Sequence, residues 1–505
     1  DAAAAAVERL AGEDAVARMG AGDHTLWSED PTEVADRLGW LPVVEEMAQQ
    51  GGDLEGFAAA AAGDGLQHAL VLGMGGSSLF PEVLARTFPP GVASLDLRAL
   101  DTTDPAAVAR IEDELDLARC LFVVASKSGT TLETRSHLAH FWERTDGDGS
   151  RFVAITDPGT ELADLAADRT FRRVFENRPD IGGRYSALSY FGLVPGALMG
   201  AGVAALLASA QRAASATAAS VPAEKNPAVL LGAALGGAAA AGHDKLTLVL
   251  PEPIAAFGLW LEQLVAESTG KHGTGIVPVA DEALGPPSVY GTDRLFVAVG
   301  GAERHAGLDE LAAAGHPVVE LGYDGPVDLG GLVLLWEQAV ALSGVLLAIN
   351  PFDQPDVASA KEATGTALTG GLPSIDTVAL DELLVLVGPG DYLALQAFVD
   401  PGDAGLLERL QAARMALRDR LGVATTLGIG PRFLHSTGQL HKGGPPSGVF
   451  VQAVGDDPAD VAIPGQRYGF AELKHAQAAG DLRALTDAGL RAGRVRLPDL
   501  VGVGS

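Results

Sequence analysis

The chain has 505 residues, 47% of them hydrophobic and 20% charged, a mix that rules out a disordered chain and leaves room for about three structural units. A formal charge of −30 argues against a nucleic-acid or anionic-membrane partner, because its long-range field repels both. One cysteine, Cys120, rules out an intramolecular disulfide framework and a cysteine-rich zinc site. Aromatics are scarce while Ala, Gly, Leu and Val dominate, which suits tightly packed parallel α/β layers. No signal peptide or long apolar run is convincing, the Ala/Gly-rich stretch Leu230–Gly242 being short with polar flanks, so a soluble cytoplasmic protein is expected.

In chain order, residues 1–50 read as helices, with a helix start expected at Asp30-Pro31-Thr32-Glu33. Ala69–Leu72 is a short apolar strand running into Gly73-Met74-Gly75-Gly76-Ser77-Ser78 and a helix over Leu79–Arg86. Cys120–Ala125 is a second strand, followed by Ser126-Lys127-Ser128-Gly129-Thr130-Thr131 and a helix from Leu132. Arg151–Thr156 is a third, and residues 198–222 form a helical connector. The cycle restarts with strands at Lys245–Leu250, Arg294–Gly300 and Pro317–Leu321 and a helix over Ala255–Ser268. Strands alternating with helices at this spacing imply parallel sheets. The expected divisions are a helical segment at 1–50, α/β units at 51–215 and 216–400, and an appended segment at 401–505 with a Gly/Pro-rich loop over Gly428–Gly448.

The chemistry-bearing residues cluster at the turns. Only seven basic residues are lysines, and Lys127, Lys271, Lys361 and Lys442 lie within or beside Gly/Ser/Thr-rich or otherwise unusual segments. The Gly73–Ser78 turn lacks the third glycine of a dinucleotide fingerprint and the Lys-Ser/Thr ending of a P-loop. It is either a structural turn or a phosphate turn with Gly76 and Ser77 presented to the anion. In the Ser126–Thr131 run, five of six residues carry a hydroxyl or ammonium at the ligand-binding edge of a parallel sheet, which points to phosphate held by Ser126, Lys127, Ser128, Thr130 and Thr131. Arg184, beside Gly182-Gly183, either lies on a surface turn or faces a developing oxyanion. Glu267 ends a helix just before Ser268-Thr269-Gly270-Lys271, where the dipole raises a carboxylate's pKa toward that of a general base, though a surface glutamate reads the same way. Gln354 and Lys361 share one helix face if a helix starts near Asp356. His435 and His441 concentrate with Lys442 in a Gly-rich loop; with no third ligand nearby, an acid–base or substrate-loop role is expected there in preference to a metal.

Taken together and in order, these segments resemble the phosphoglucose isomerase family. Gly73–Ser78 is similar to its first phosphate-side turn, and Ser126–Thr131 followed by Glu133-Thr134 to the loop that grips the sugar phosphate. Gly183-Arg184-Tyr185-Ser186 resembles the segment whose arginine stabilises an enediolate, and Glu267-Ser268-Thr269-Gly270-Lys271 the family's Glu-Ser-Asn-Gly-Lys, with Thr269 in place of Asn. Phe352-Asp353-Gln354 and Lys361 resemble its Phe-Asp-Gln signature and following lysine. The family's ring-opening histidine, usually between the glutamate and the Phe-Asp-Gln segment, has no counterpart in Gly291–Phe296. His441, His435 or His272 takes the role, or Lys361 and water do without it.

The resemblance implies two flavodoxin-like sugar isomerase (SIS) domains with parallel sheets, an α/β fold with a helical N-terminal and an appended C-terminal segment. It implies glucose 6-phosphate/fructose 6-phosphate interconversion, with Glu267 as base and Arg184, Lys361 and His441 as the other catalytic residues. Gly76, Ser77, Ser126, Lys127, Ser128, Thr130, Thr131, Gln354 and His435 would bind the hexose 6-phosphate. No metal or cofactor is implied, and a homodimer is. A dual-specificity phosphoglucose/phosphomannose isomerase and a non-catalytic sugar-phosphate-binding SIS protein are the alternatives. The opening Leu26-Trp27…Leu38-Gly39-Trp40-Leu41 and the Gly430–Gly444 loop also resemble the isomerase part of transaldolase fusions, so an upstream transaldolase domain on the natural chain is expected.

Overall fold

The computed structural model describes residues 2–89, 91, 94–300 and 307–503. It contains three sheets in which every strand pairing is parallel. The first has the order β2-β1-β3-β4-β5, formed by β1 His68–Leu72, β2 Asp96–Leu100, β3 Cys120–Ala125, β4 Phe152–Thr156 and β5 Arg173–Glu176. The second runs β7-β6-β8-β9, from β6 Lys245–Val249, β7 Val277–Val279, β8 Arg294–Gly300 and β9 Val318–Gly322. The third runs β11-β10-β12-β13, from β10 Tyr392–Phe398, β11 Ala424–Ile429, β12 Gly448–Val454 and β13 Arg491–Val495. All three therefore share one winding, in which the second strand lies outside the first and the chain then crosses to the other side. That crossing point, at the carboxyl ends of the strands, is where such sheets open a crevice for ligands.

The third sheet departs from the sequence-based expectation. The segment read as an appendage is an α/β unit in its own right, and the expected boundary at 400 falls just after its first strand. The central strands β1, β3, β4, β6 and β10 are almost entirely buried, as apolar runs covered on both faces should be. A helix start at Asp30–Glu33 is not formed. The Asp30 carboxylate accepts from the Thr32 N–H at 2.9 Å, Glu33 takes a left-handed φ of 53°, and only a single tight turn follows at Ala35–Arg37. An aspartate turned back on its own backbone competes with helix propagation.

The helix Leu329–Leu347 crosses the middle of the molecule. With the turn before it, Pro326–Leu347 is long and apolar enough to span a membrane, with a mean hydropathy of 1.6, but 83% of its most apolar stretch is buried inside the protein. Its neighbour Pro227–Ala240 is the Ala/Gly-rich stretch noted in the sequence. A Cβ on Gly232 would stand 2.9 Å from the Ala339 carbonyl, and one on Gly236 2.8 Å from the Leu346 side chain, so small residues are what let the two helices touch.

The third unit is fastened to the first through the loop that follows β2 and the helix Pro105–Glu114 after it. Arg432 Nε shares its one N–H between the two Asp101 carboxylate oxygens, each 2.9 Å away, and Ser78 Oγ donates to Asp101 at 2.9 Å. Asp104 pairs with Lys474 at 2.9 Å, and Arg110 with Asp400 at 3.0 Å. Against the second unit, the buried Arg294 and Arg418 both approach Glu282, at 3.3 and 3.9 Å.

Candidate active site

The helix Phe257–Thr269 follows β6 and packs its apolar residues Leu261, Leu264 and Val265 into the core, which brings Glu267 in its last turn to a site only 4% exposed. Arg184, 1% exposed, sits opposite with Nη1 3.6 Å from Glu267 Oε2. Three other bonds fix the guanidinium: Nε donates to Ser268 Oγ at 2.9 Å, and Nη2 to the carbonyls of Pro351 at 2.6 Å and Asp353 at 3.0 Å. Nη1 has no hydrogen-bond partner among the described residues. Burial raises the Glu267 pKa, and Arg184, His435, Lys271 and Lys361 offset part of that rise.

The Phe352-Asp353-Gln354 run is locked behind this pair. The Phe352 ring packs 5.0 Å from Trp27 and 5.2 Å from Tyr185, centroid to centroid. Lys271, fully buried, donates to the Asn350 carbonyl at 2.8 Å and to Asp353 Oδ1 at 2.6 Å, and burial brings its pKa down to about 8. The helix carrying Lys361 begins at Ala358, so Gln354 lies in the run before it and the expected shared helix face does not exist. Proline at 355 restrains Gln354 itself away from helical geometry. Both Gln354 and Lys361 are exposed.

The glycine turn and the hydroxyl loop lie at the carboxyl ends of β1 and β3. A Cβ on Gly76 would run into the Gly183 carbonyl, and one on Gly75 would lie 2.7 Å from the His435 carbonyl. These glycines thus let the turn seat directly against the Arg184 and His435 segments. Ser77 is half-buried at the end of the turn. In the hydroxyl loop, Ser126 Oγ lies 2.9 Å from Thr131 Oγ1 and accepts from the Gly129 N–H, while Ser128 Oγ lies 2.9 Å from Thr130 Oγ1. Lys127 is engaged elsewhere, paired with Asp157 and donating to the Pro179 carbonyl at 2.6 Å. Of the loop residues, Ser128, Thr130 and Thr131 line a cavity of about 320 Å³ whose other walls include Glu133, Lys361 and His435.

His435 comes from the third unit. Its Nε2 lies 2.9 Å from Glu133 Oε1, and its carbonyl accepts from Gln263 Nε2 at 2.7 Å. Gln263 Nε2 also points at Glu267 Oε2, 3.4 Å away, so one amide joins the histidine loop to the glutamate. Burial opposes charge on both members of the Glu133–His435 pair, yet their mutual attraction wins: Glu133 falls to about 2 and His435 rises.

His441 does not belong to this site. It is buried among Tyr392, Phe433 and Phe450, with Nδ1 3.2 Å from Gln396 Nε2, and burial lowers its pKa to about 3. A short helix at Gly438–Gly443 turns it away from His435, where the sequence suggested one flexible loop. Among the described residues no three His, Cys, Asp or Glu side chains are grouped to hold a metal. His272, with a left-handed φ of 56°, makes no hydrogen bond among the described residues through its ring.

A family model described as phosphoglucose isomerase matches residues 33–287. The chain belongs to the phosphoglucose isomerase family. The match spans the hydroxyl loop, Arg184 and Glu267, while Phe352–Lys361 and His435 lie beyond it. Among curated relatives, the glucose-6-phosphate isomerase of Thermosynechococcus vestitus is 31% identical over 345 residues, covering 59% of this chain and 65% of that protein. That of Nostoc punctiforme is 30% identical over 378 residues, covering 64% and 71%. The chain thus matches about 65% of the length of some of these relatives. A hypothetical protein from Thermus thermophilus superposes with a TM-score of 0.62 at 26% identity, covering 72% of this chain and 97% of that one. A glucose-6-phosphate isomerase from Chlamydia trachomatis shares the fold with a TM-score of 0.53 at 21% identity, covering 70% and 79%. Within the phosphoglucose isomerase family frame, sequence reasoning singled out Arg184, Glu267 and His435. The same motifs contain Tyr185 and Ser268, whose part in fixing Arg184 shows only in three dimensions. Gln477, which donates to Glu133 Oε1 at 2.6 Å, was missed because it is one unremarkable helix residue 344 positions from its partner.

Proposed function

We propose that the chain interconverts glucose 6-phosphate and fructose 6-phosphate, with Glu267 moving a proton between C2 and C1 through a cis-enediolate. The observation that carries this is the Glu267–Arg184 pair: a buried carboxylate with a raised pKa, 3.6 Å from a guanidinium nitrogen that has no other partner among the described residues. A base for a carbon acid needs that raised pKa, and the enediolate oxygen needs a fixed cation. Ser128, Thr130 and Thr131 would take the phosphate, whose binding energy holds the reacting carbons near the base. His435, charged against Glu133, would deliver a proton to the ring oxygen, with Lys361 across the same cavity. Glu267 is only 4% exposed, so admission of the sugar requires the site to open.

Cytoplasmic location, expected from the sequence, and a homodimer, implied by the family resemblance, belong to the same proposal. The test is conversion of fructose 6-phosphate by the purified chain, coupled to glucose-6-phosphate dehydrogenase, after EDTA treatment of the isomerase. Robust turnover, unchanged by EDTA because the proton passes through a carboxylate, is the expected result. Hexose phosphate binding without turnover would instead make this a sugar-phosphate-binding protein. Comparing mannose 6-phosphate in the same assay sets the breadth of the sugar pocket.

A further inference from the structure

We propose that Gln477, on the third-unit helix Phe470–Asp487, is a positioning residue for His435 that acts through the Glu133 carboxylate. The proposal rests on the reading above that His435 meets the sugar ring. Glu133 Oε1 accepts two hydrogen bonds, from His435 Nε2 at 2.9 Å and from Gln477 Nε2 at 2.6 Å. The other end of the Gln477 amide is held as well, its Oε1 accepting from Thr103 Oγ1 at 2.6 Å. Thr103, Gln477 and Glu133 are all buried, at 0, 3 and 5% exposure. A flipped amide would set a carbonyl oxygen against a carboxylate, so the threonine and the glutamate together dictate its orientation.

This arrangement does more than satisfy a buried carboxylate. Both donors share one oxygen, so the amide takes part of the negative charge that would otherwise fall on the imidazole. It also pins the carboxylate rotamer and with it the ring of His435. The charged groups acting on His435 are Glu133 from the helix Leu132–Arg144, Lys361 from the helix Ala358–Gly370 and Glu267 from the helix Phe257–Thr269; His137 acts on Glu133. Gln477 is the neutral member that sets how Glu133 divides itself. It reaches the first unit from 344 residues away, which makes the third unit a working part of the site.

The experiment uses the full chain with Gln477→Met, which keeps the volume and deletes the donor, and Thr103→Val, which frees the amide. NMR titration of the His435 ring is read alongside kcat, KM and the anomerisation rate of glucose 6-phosphate. In Gln477→Met the His435 midpoint should rise by roughly half a pH unit or more, because the undivided carboxylate charge now faces the imidazole. Anomerisation and kcat should fall about tenfold with KM within about twofold. Thr103→Val should shift the midpoint in the same direction by less. A folded Gln477→Met chain with an unmoved His435 midpoint and wild-type kcat overturns the proposal; if that variant does not fold, an unmoved midpoint in Thr103→Val does so. A wild-type chain that does not isomerise hexose phosphates would sink the functional reading, and the His435 titration would still decide the coupling.

Discussion

Arg184 and Glu267 come from different α/β units and meet at 3.6 Å with almost no exposure to solvent. Replacing Glu267 with Gln keeps an oxygen for the guanidinium and removes the base. Turnover should fall by about 10²–10⁴-fold, with hexose phosphate binding within a few-fold of wild type. Steady-state kinetics and a binding isotherm on the same preparation check it, and retained turnover would reassign the base.

The two histidines of the Gly-rich segment should separate cleanly. His435→Ala is expected to slow glucose 6-phosphate anomerisation about tenfold or more, whereas His441→Leu should leave it within about threefold. His441 has a further signature. Its folded pKa, about 3, lies below the unfolded value near 6.5, so the native state binds fewer protons in between. Wild type should therefore lose stability relative to His441→Leu as pH falls from about 6.5 toward 3, measurable by urea unfolding at pH 7 and pH 4.5.

Glu337 lies on the central helix with both carboxyl oxygens buried and unpartnered among the described residues, and burial alone lifts its pKa well above 4.5. The native chain holds this proton at a pH where the unfolded chain has released it, so Glu337 costs stability as pH rises above about 4.5. Glu337→Leu should be more stable at pH 8 by about 1–3 kcal/mol, with a smaller gain at pH 5. Denaturant midpoints at the two pH values test the sign.

Gly76→Ala should disable the site without touching any reacting group. The new methyl would press on the Gly183 carbonyl and displace the segment that carries Arg184. A loss of about 1–3 kcal/mol in stability and at least about tenfold in kcat is expected. Calorimetry and kinetics on the variant would show both.

Much of this could be read in the sequence where apolar runs are unbroken. Strands β1, β3, β4, β6, β8 and β9 appear within a residue or two of their expected bounds. The edge strands β2, β5 and β7 were not legible: Asp96-Leu97-Arg98, Arg173–Glu176 and Val277-Pro278-Val279 are short and carry charge or proline, as edges do. The third sheet was hidden for another reason: the loop between β11 and β12 carries so much Gly and Pro that it reads as a tail. In the site, the local motifs around Arg184 and Glu267 were visible because each fits in five residues. The Thr103–Gln477–Glu133–His435 chain spans four separate segments, and nothing in the helical run around Gln477 distinguishes it from a packing residue.

The helix Ala358–Gly370, which carries Lys361, rests on the helix Phe470–Asp487, where a Cβ on Gly480 would stand 2.5 Å from Thr364 Oγ1. This contact bears on the timing of synthesis. When the ribosome has finished residue 380, the nascent chain already holds the glutamate, the arginine and the hydroxyl loop. The histidine has yet to be made, and the lysine has nothing to lean on. Synthesis beyond residue 380 is thus what supplies His435, the proposed proton donor, and the helix that supports the lysine, and a chain released before that point carries the hydroxyl loop without either.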